Sequence, residues 1–157
     1  ACRFVEETWG APIFVSRWDA PQVRRRTKQS FEGGFENGAK PASEVDSFHL
    51  PGHTAGFHCF RWEGNSKNYL FASHLIVPTT RRRRWKFALT PILKEVGLQS
   101  LEKLRSLDVD FLLPNRSGTF DASIQSAREY TPPIPFGPEV RSRAIDEALA
   151  WIEGSKS

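Results

Sequence analysis

At 157 residues, with 39% hydrophobic and 25% charged residues and 22 Lys and Arg against 18 Asp and Glu, the chain has the length and composition of one ordinary globular domain. No apolar run approaches the roughly 20 residues that cross a bilayer, and the N-terminus lacks the apolar core of a secretory signal, so a soluble, intracellular, cytoplasmic chain is expected. Cys2 and Cys59 form neither a CxxC spacing nor a disulfide framework, which predicts two ordinary thiols in a reducing compartment.

Punctuation and periodicity give the elements in order. Ala1 to Trp9 reads as helical and Pro12 to Ser16 as a short strand. Asp19 to Lys28 reads as a short charged helix or loop beginning with Asp19 as a cap, its Arg24, Arg25 and Arg26 on a solvated surface. Gln29 to Ala42 concentrates Gly, Asn and Pro and is expected to be a mobile loop or hairpin. Ala55 to Trp62 alternates, Asn68 to Val77 is apolar enough for a buried strand, and the Glu63 to Asn65 turn joins them as a hairpin. Ser100 is placed at the cap of a helix reaching Leu107, with Leu101, Leu104 and Leu107 at helical spacing, and Val109 to Leu113 forms the next strand. Thr131 to Pro138 reads as a stiff connector. Gly137-Pro138 then opens a helix whose Val140, Ala144, Ala148, Leu149 and Ile152 share a core face and which Gly154 stops.

The chemistry concentrates in His49 to Leu75, HLPGHTAGFHCFRWEGNSKNYLFASHL. Pro51 and Gly52 make a tight turn that projects His53 from a strand end, where a neutral imidazole can serve as a metal ligand if others converge on it. Thr54 offers a hydroxyl to nearby backbone, and Gly56 permits a close approach of chain segments. His49 and His58 lie in alternating strand regions, where a polar face or a hydrogen bond explains them; His49 is near enough in sequence to support His53. Cys59 follows His58, but neighbouring strand residues point to opposite faces and make no nucleophile–base pair. Gly33-Gly34 lacks the Lys-Ser/Thr of a phosphate loop, and no G-x-S-x-G elbow occurs.

The P-G-H-T turn and the strand after it resemble the metallo-β-lactamase family, as do the helix-then-strand order of ACRFVEETW and GAPIFVS and the later DFLLPNRSG segment. The resemblance covers roughly residues 1 to 124. It implies an α/β fold, part of an αββα sandwich with a mixed sheet covered by helices, in a single domain over 1–157 that lacks its N-terminal portion. An exposed sheet edge, a homo-oligomer or another partner chain would follow from such a truncation. The resemblance also implies a zinc-dependent hydrolase, but the pattern departs from that of the family. The His-rich loop that supplies most ligands is absent, His74 stands where the family has a metal-bridging Asp, and Arg116 stands where it has a His. Arg116 has no lone pair and repels a cation. The site is therefore expected to be degenerate, with His53 and His74 holding one ion or, more in keeping with the other losses, none, and with Thr54, Asn115 and Arg116 lining the cleft.

A reading from another class rests on Arg81, Arg82, Arg83, Arg84 and Trp85, where four cations beside an indole could bind phosphates and stack a base. The alternative function is accordingly a non-catalytic module for nucleic acid or an acidic partner. The plainer reading of the same run is a solvated loop with Trp85 tucked into the core.

Overall fold

The computed structural model describes residues 7–27, 31, 33–73, 75–78, 85–87, 90, 93–114 and 133–154. The elements are β1 (Phe14–Ser16), α1 (Ala20–Thr27), β2 (Gly33–Phe35), β3 (Val45–His49), β4 (His58–Gly64), β5 (Lys67–Ser73), β6 (Ile76–Pro78), β7 (Trp85–Phe87), α2 (Lys94–Ser106), β8 (Phe111–Pro114), β9 (Ile134–Pro135) and α3 (Pro138–Gly154). β3-β4-β5-β8-β9 form a five-stranded sheet in that order, while β1-β2 and β6-β7 pair separately. The β3–β4, β4–β5 and β8–β9 pairs are antiparallel and β5–β8 is parallel. A parallel neighbour needs a crossover, and the chain between β5 and β8 supplies one that contains α2.

The β4–β5 hairpin turns on Asn65 and Ser66, at φ 54° and 58°, with Gly64 paired to Lys67. Two consecutive left-handed residues suit the twist of a two-residue hairpin, so the turn falls later than Glu63 to Asn65. β5 alternates, burying Leu70 and Ala72 while Phe71 stays 45% exposed. This corrects the expectation of a buried strand: one face of β5 is buried and the other is not.

The core lies between the sheet and the helices, where Leu50, Cys59, Leu70, Ala72 and Leu112 join Leu101, Leu104, Phe136, Ala144, Ile145, Ala148 and Ile152 in one cluster. α2 begins at Lys94, a turn and a half before the expected cap. Ser100 is buried in mid-helix, where its hydroxyl donates to Pro51 O at 2.6 Å with Val96 O at 2.9 Å sharing the hydrogen. α3 runs from Pro138 to Gly154 as expected, but its buried face is centred on Arg141, Ala144, Ile145, Ala148 and Ile152, with Val140 and Leu149 at its flanks.

Arg141 is 7% exposed, and its guanidinium donates to Arg105 O at 3.1 Å, Val109 O at 2.9 Å and Phe136 O at 3.2 Å. It thereby satisfies a carbonyl in the last turn of α2 and two more in the connections around β8 and β9.

Two loop expectations are corrected. Within Gln29 to Ala42, β2 pairs in parallel with β1, register Phe14↔Gly33 to Ser16↔Phe35. Gly34 makes that approach possible, since a Cβ there would lie 2.8 Å from Arg17 Cα. Within the Pro-rich connector, Ile134–Pro135 adds the edge strand β9 against Phe111 and Leu112, a position where a missing Pro N–H is tolerated. The segments 1–6, 28–30 and 115–132 lie outside the described residues.

Candidate functional site

Residues 50–57 connect β3 to β4 and carry the P-G-H-T turn, and hydrogen bonds from several separate parts of the chain fix this loop. Leu50 N donates to Phe57 O at 2.9 Å and closes its base. Pro51 O accepts from Ser100 Oγ at 2.6 Å, Gly52 O from Thr90 N at 2.8 Å, and His53 O from Thr90 Oγ1 at 2.7 Å. Gly52 is buried, and a Cβ on it would lie 3.1 Å from the Phe87 ring and 3.4 Å from Gly97 Cα. The turn is thus seated on α2 and β7 before any side chain projects from it.

The other half of the loop is held by Asp19. Its carboxylate accepts from Thr54 Oγ1 at 2.7 Å and from Gly56 N at 2.9 Å. Asp19 also stands at the start of α1, its carbonyl receiving Gln22 N and Val23 N at 3.0 Å each. The residue sits where a cap was expected, but its side chain serves the loop, not its own helix. The Thr54 hydroxyl, expected to bond backbone, donates to this carboxylate. Gly56 allows the contact as anticipated: a Cβ would lie 2.7 Å from Asp19 Cγ and 2.9 Å from its N.

His53 is exposed at the tip, with Phe57 edge-on at 5.9 Å between ring centroids. His49 and His58 serve the base. The His49 ring meets Ala55 O through Nε2 at 2.7 Å, and the buried His58 ring meets Gly56 O through Nδ1 at 2.8 Å. They stack at 4.9 Å, and Trp18 lies flat on His49 at 4.1 Å with 4° between the planes. Burial pushes the His58 pKa below the ordinary imidazole value, although its bond to Gly56 favours the charged form. Lys103 reaches His49 O at 3.3 Å and Asn37 Oδ1 at 3.0 Å, and burial lowers its pKa as well.

Among the remaining candidates, His74, Asn115, Arg116 and Arg81 to Arg84 lie outside the described residues. Trp85 is 7% exposed, its ring tilted against Phe136 at 5.4 Å between centroids, and its backbone N–H donates to Glu147 Oε2 at 3.0 Å. Its indole belongs to the core, which corrects its role as a base-stacking platform. The solvated reading of Arg24, Arg25 and Arg26 holds, for all three are exposed on α1. Cys59 is fully buried, and burial pushes its thiol pKa far up, so it is no nucleophile. Asp19 and Trp18 were not anticipated at the site. They stand 35 and 31 residues before the groups they meet, Thr54 and His49, and only the fold brings them there.

The mixed sheet backed by helices and the His-bearing loop at its strand ends match known structures over nearly the whole chain. This chain has the metallo-β-lactamase fold. A metallo-β-lactamase from Cronobacter sakazakii matches at 20% identity and a TM-score of 0.66 over 98% of this chain and 66% of its own. A class B3 di-zinc metallo-β-lactamase from an Alaskan soil metagenome matches at 15% identity and 0.64, over 98% and 67%. Native metallo-β-lactamase from Legionella gormanii matches at 15% and 0.61, over 98% and 68%. The chain spans 63% of the length of another similar structure, a metallo-β-lactamase called MIM-2, at 19% identity and a TM-score of 0.63. No family profile matches the sequence, and no curated protein does.

The di-zinc enzyme among these structures prompts the question whether the residues here suit a metal. Among the described residues, no three His, Cys, Asp or Glu side chains come together in a group that could hold an ion. His53 supplies one imidazole at the loop's tip, with the Phe57 ring edge-on to it and the Thr54 hydroxyl engaged with the Asp19 carboxylate. A structural or catalytic zinc takes at least three protein ligands, and the residues expected beside His53 include His74, which lies outside the described residues. Among the described residues, no helix is long and apolar enough to cross a membrane.

Proposed function

We propose that this chain is a hydrolase-like domain of metallo-β-lactamase fold whose metal site is degenerate, holding one ion at most through His53 and His74. The observation that carries the reading is the loop itself, whose main chain and Thr54 hydroxyl are braced by Ser100, Thr90 and Asp19 so that His53 is presented at an exposed tip. The sequence adds to this. Arg116 offers no lone pair, and replacing a bridging carboxylate with the imidazole of His74 removes the charge that keeps two cations close. Zinc is the ion to test, because one of the similar structures is described as a di-zinc enzyme.

The test is a zinc titration of the 157-residue chain, with retained metal counted by elemental analysis. Weak uptake of no more than one ion, lost in His53→Ala, is the expected result. Two tightly retained ions per chain would overturn the reading. The double variant Arg116→His with His74→Asp should bind more tightly than the unmodified chain, since it restores a lone pair and a negative charge together.

A further inference from the structure

The turn between β2 and β3 holds a side-chain arrangement that the 50–57 loop does not use. Asn37 and Gly38 are its central residues, with Ala39 N bonded to Glu36 O at 3.2 Å and Gly38 at φ 78°. Asn37 is exposed, yet its side-chain oxygen is held by two donors. The main-chain N–H of His49 reaches Oδ1 at 2.9 Å, and the Lys103 ammonium reaches it at 3.0 Å. Both bonds of this side chain among the described residues are thus accepted by Oδ1, and Nδ2 is left to solvent. The next residue is Gly38, where even a Cβ would meet nothing within 4 Å. A polarised carbonyl, an unheld amine and an unshielded amide nitrogen after it are what cyclisation at an asparagine needs.

We propose that Asn37 is a site of spontaneous deamidation, with the His49 N–H and Lys103 serving as its oxyanion hole. Gly38 N attacks Asn37 Cγ and loses its proton to solvent. Oδ1 takes up the negative charge between two donors placed as oxyanion donors are, at about 2.7–3.1 Å. The Cγ–Nδ2 bond then breaks, and ammonia leaves with a proton from water, which closes a cyclic imide. A water molecule reopens it. Attack at Cγ restores the main-chain peptide bond and leaves aspartate, whereas attack at the main-chain carbonyl leaves isoaspartate, the product that predominates in an unstructured chain. Here the same two donors polarise Cγ in both steps, so aspartate is the main product. It keeps both bonds, now from an ammonium and an amide to a carboxylate. The new negative charge stands beside Lys103, which also holds His49 O, the last carbonyl of β3 before the 50–57 loop. Gly38 N donates to Ser47 O at 3.1 Å, and this bond must open before attack, which keeps the reaction slow.

Incubation of the 157-residue chain at mildly alkaline pH, followed by peptide mass mapping, tests this. The peptide containing residue 37 should gain the mass that replaces NH2 with OH, and fragmentation that separates the isomers should show mainly aspartate. The same chain unfolded in guanidinium chloride should give mainly isoaspartate. Lys103→Met should slow conversion in the folded chain roughly five- to tenfold, the worth of one charge-assisted donor at an exposed carbonyl. An Asn37 that stays intact in the folded chain would overturn the proposal. So would isoaspartate predominating in folded and unfolded chains alike, or a folded Lys103→Met chain that converts at the parental rate. Should Lys103→Met unfold the chain, the isomer comparison in the parent needs no variant and decides the matter.

Discussion

Asp19 and Thr54, 35 residues apart, are joined by a 2.7 Å hydrogen bond from the threonine hydroxyl to the aspartate carboxylate, whose other oxygen takes the Gly56 amide. Removing the carboxylate strands two partly buried donors at once. Asp19→Ala is therefore expected to destabilise the chain by about 1–3 kcal/mol, and Asp19→Asn by less, because the amide oxygen still accepts one of the two bonds. Urea denaturation of both variants checks this ranking, and equal stability of Asp19→Ala and the parent would contradict it.

Gly56→Ala should be among the more damaging single-methyl changes in the molecule. The added Cβ would stand 2.7 Å from Asp19 Cγ and 2.9 Å from Asp19 N, so the loop or the start of α1 must move. An overpacking cost of roughly 1–3 kcal/mol follows. A lowered melting temperature is the readout, with Gly137→Ala as the control, since nothing lies within 4 Å of a Cβ there.

Arg141→Met keeps the length of the buried stem but removes donors to three carbonyls on different segments. A loss of about 2–4 kcal/mol is expected from the unpaired acceptors. Arg141→Lys should recover only part of it, because one ammonium cannot reproduce the planar fork that meets Arg105, Val109 and Phe136 together. Chemical unfolding of the two variants should preserve that order.

His58 gives stability a pH dependence of defined sign. Burial lowers its folded-state pKa below the unfolded value near 6.5, so the unfolded chain binds the proton more readily. The folded state is fully favoured above about pH 6.5 and loses stability as pH falls from there toward the depressed folded value. One proton limits the slope to about 1.4 kcal/mol per pH unit. Comparing unfolding free energies of the parent and His58→Gln across this window isolates the effect. An identical slope in both would refute the assignment.

Cys59 should be inert to thiol reagents in the native chain and reactive once unfolded, since it is fully buried and burial raises its thiol pKa. A Cys2→Ser background leaves this one thiol to follow. Rapid modification under native conditions would mean that the core opens around β4.

How much of this was legible beforehand differs between elements and site. The hairpin, α3 and the strand after α2 announce themselves through alternation, Gly137-Pro138 and helical leucines, because local patterning controls them. β2 and β9 do not, since Gly33-Gly34 and Ile134-Pro135 become strands only when a partner strand lies alongside. Ser100 looks like a cap by residue type, but α2 starts earlier because its core-facing positions extend back to Gly97. At the site, the turn around His53 is visible in the sequence. The groups that brace it, Asp19, Thr90 and Ser100, are ordinary polar residues whose roles arise from tertiary proximity alone.

The bonds that brace residues 50–57 attach to the main chain at Pro51, Gly52, His53, Ala55 and Gly56 and to the Thr54 hydroxyl. The path of the loop is consequently set in large part by groups other than the position-53 side chain. It works as a tool-holder clamped from behind: the fitting at the tip can be exchanged while the clamp keeps its shape. A protein built this way can lose or regain chemistry at that tip in single substitutions, without first having to rebuild the scaffold beneath it.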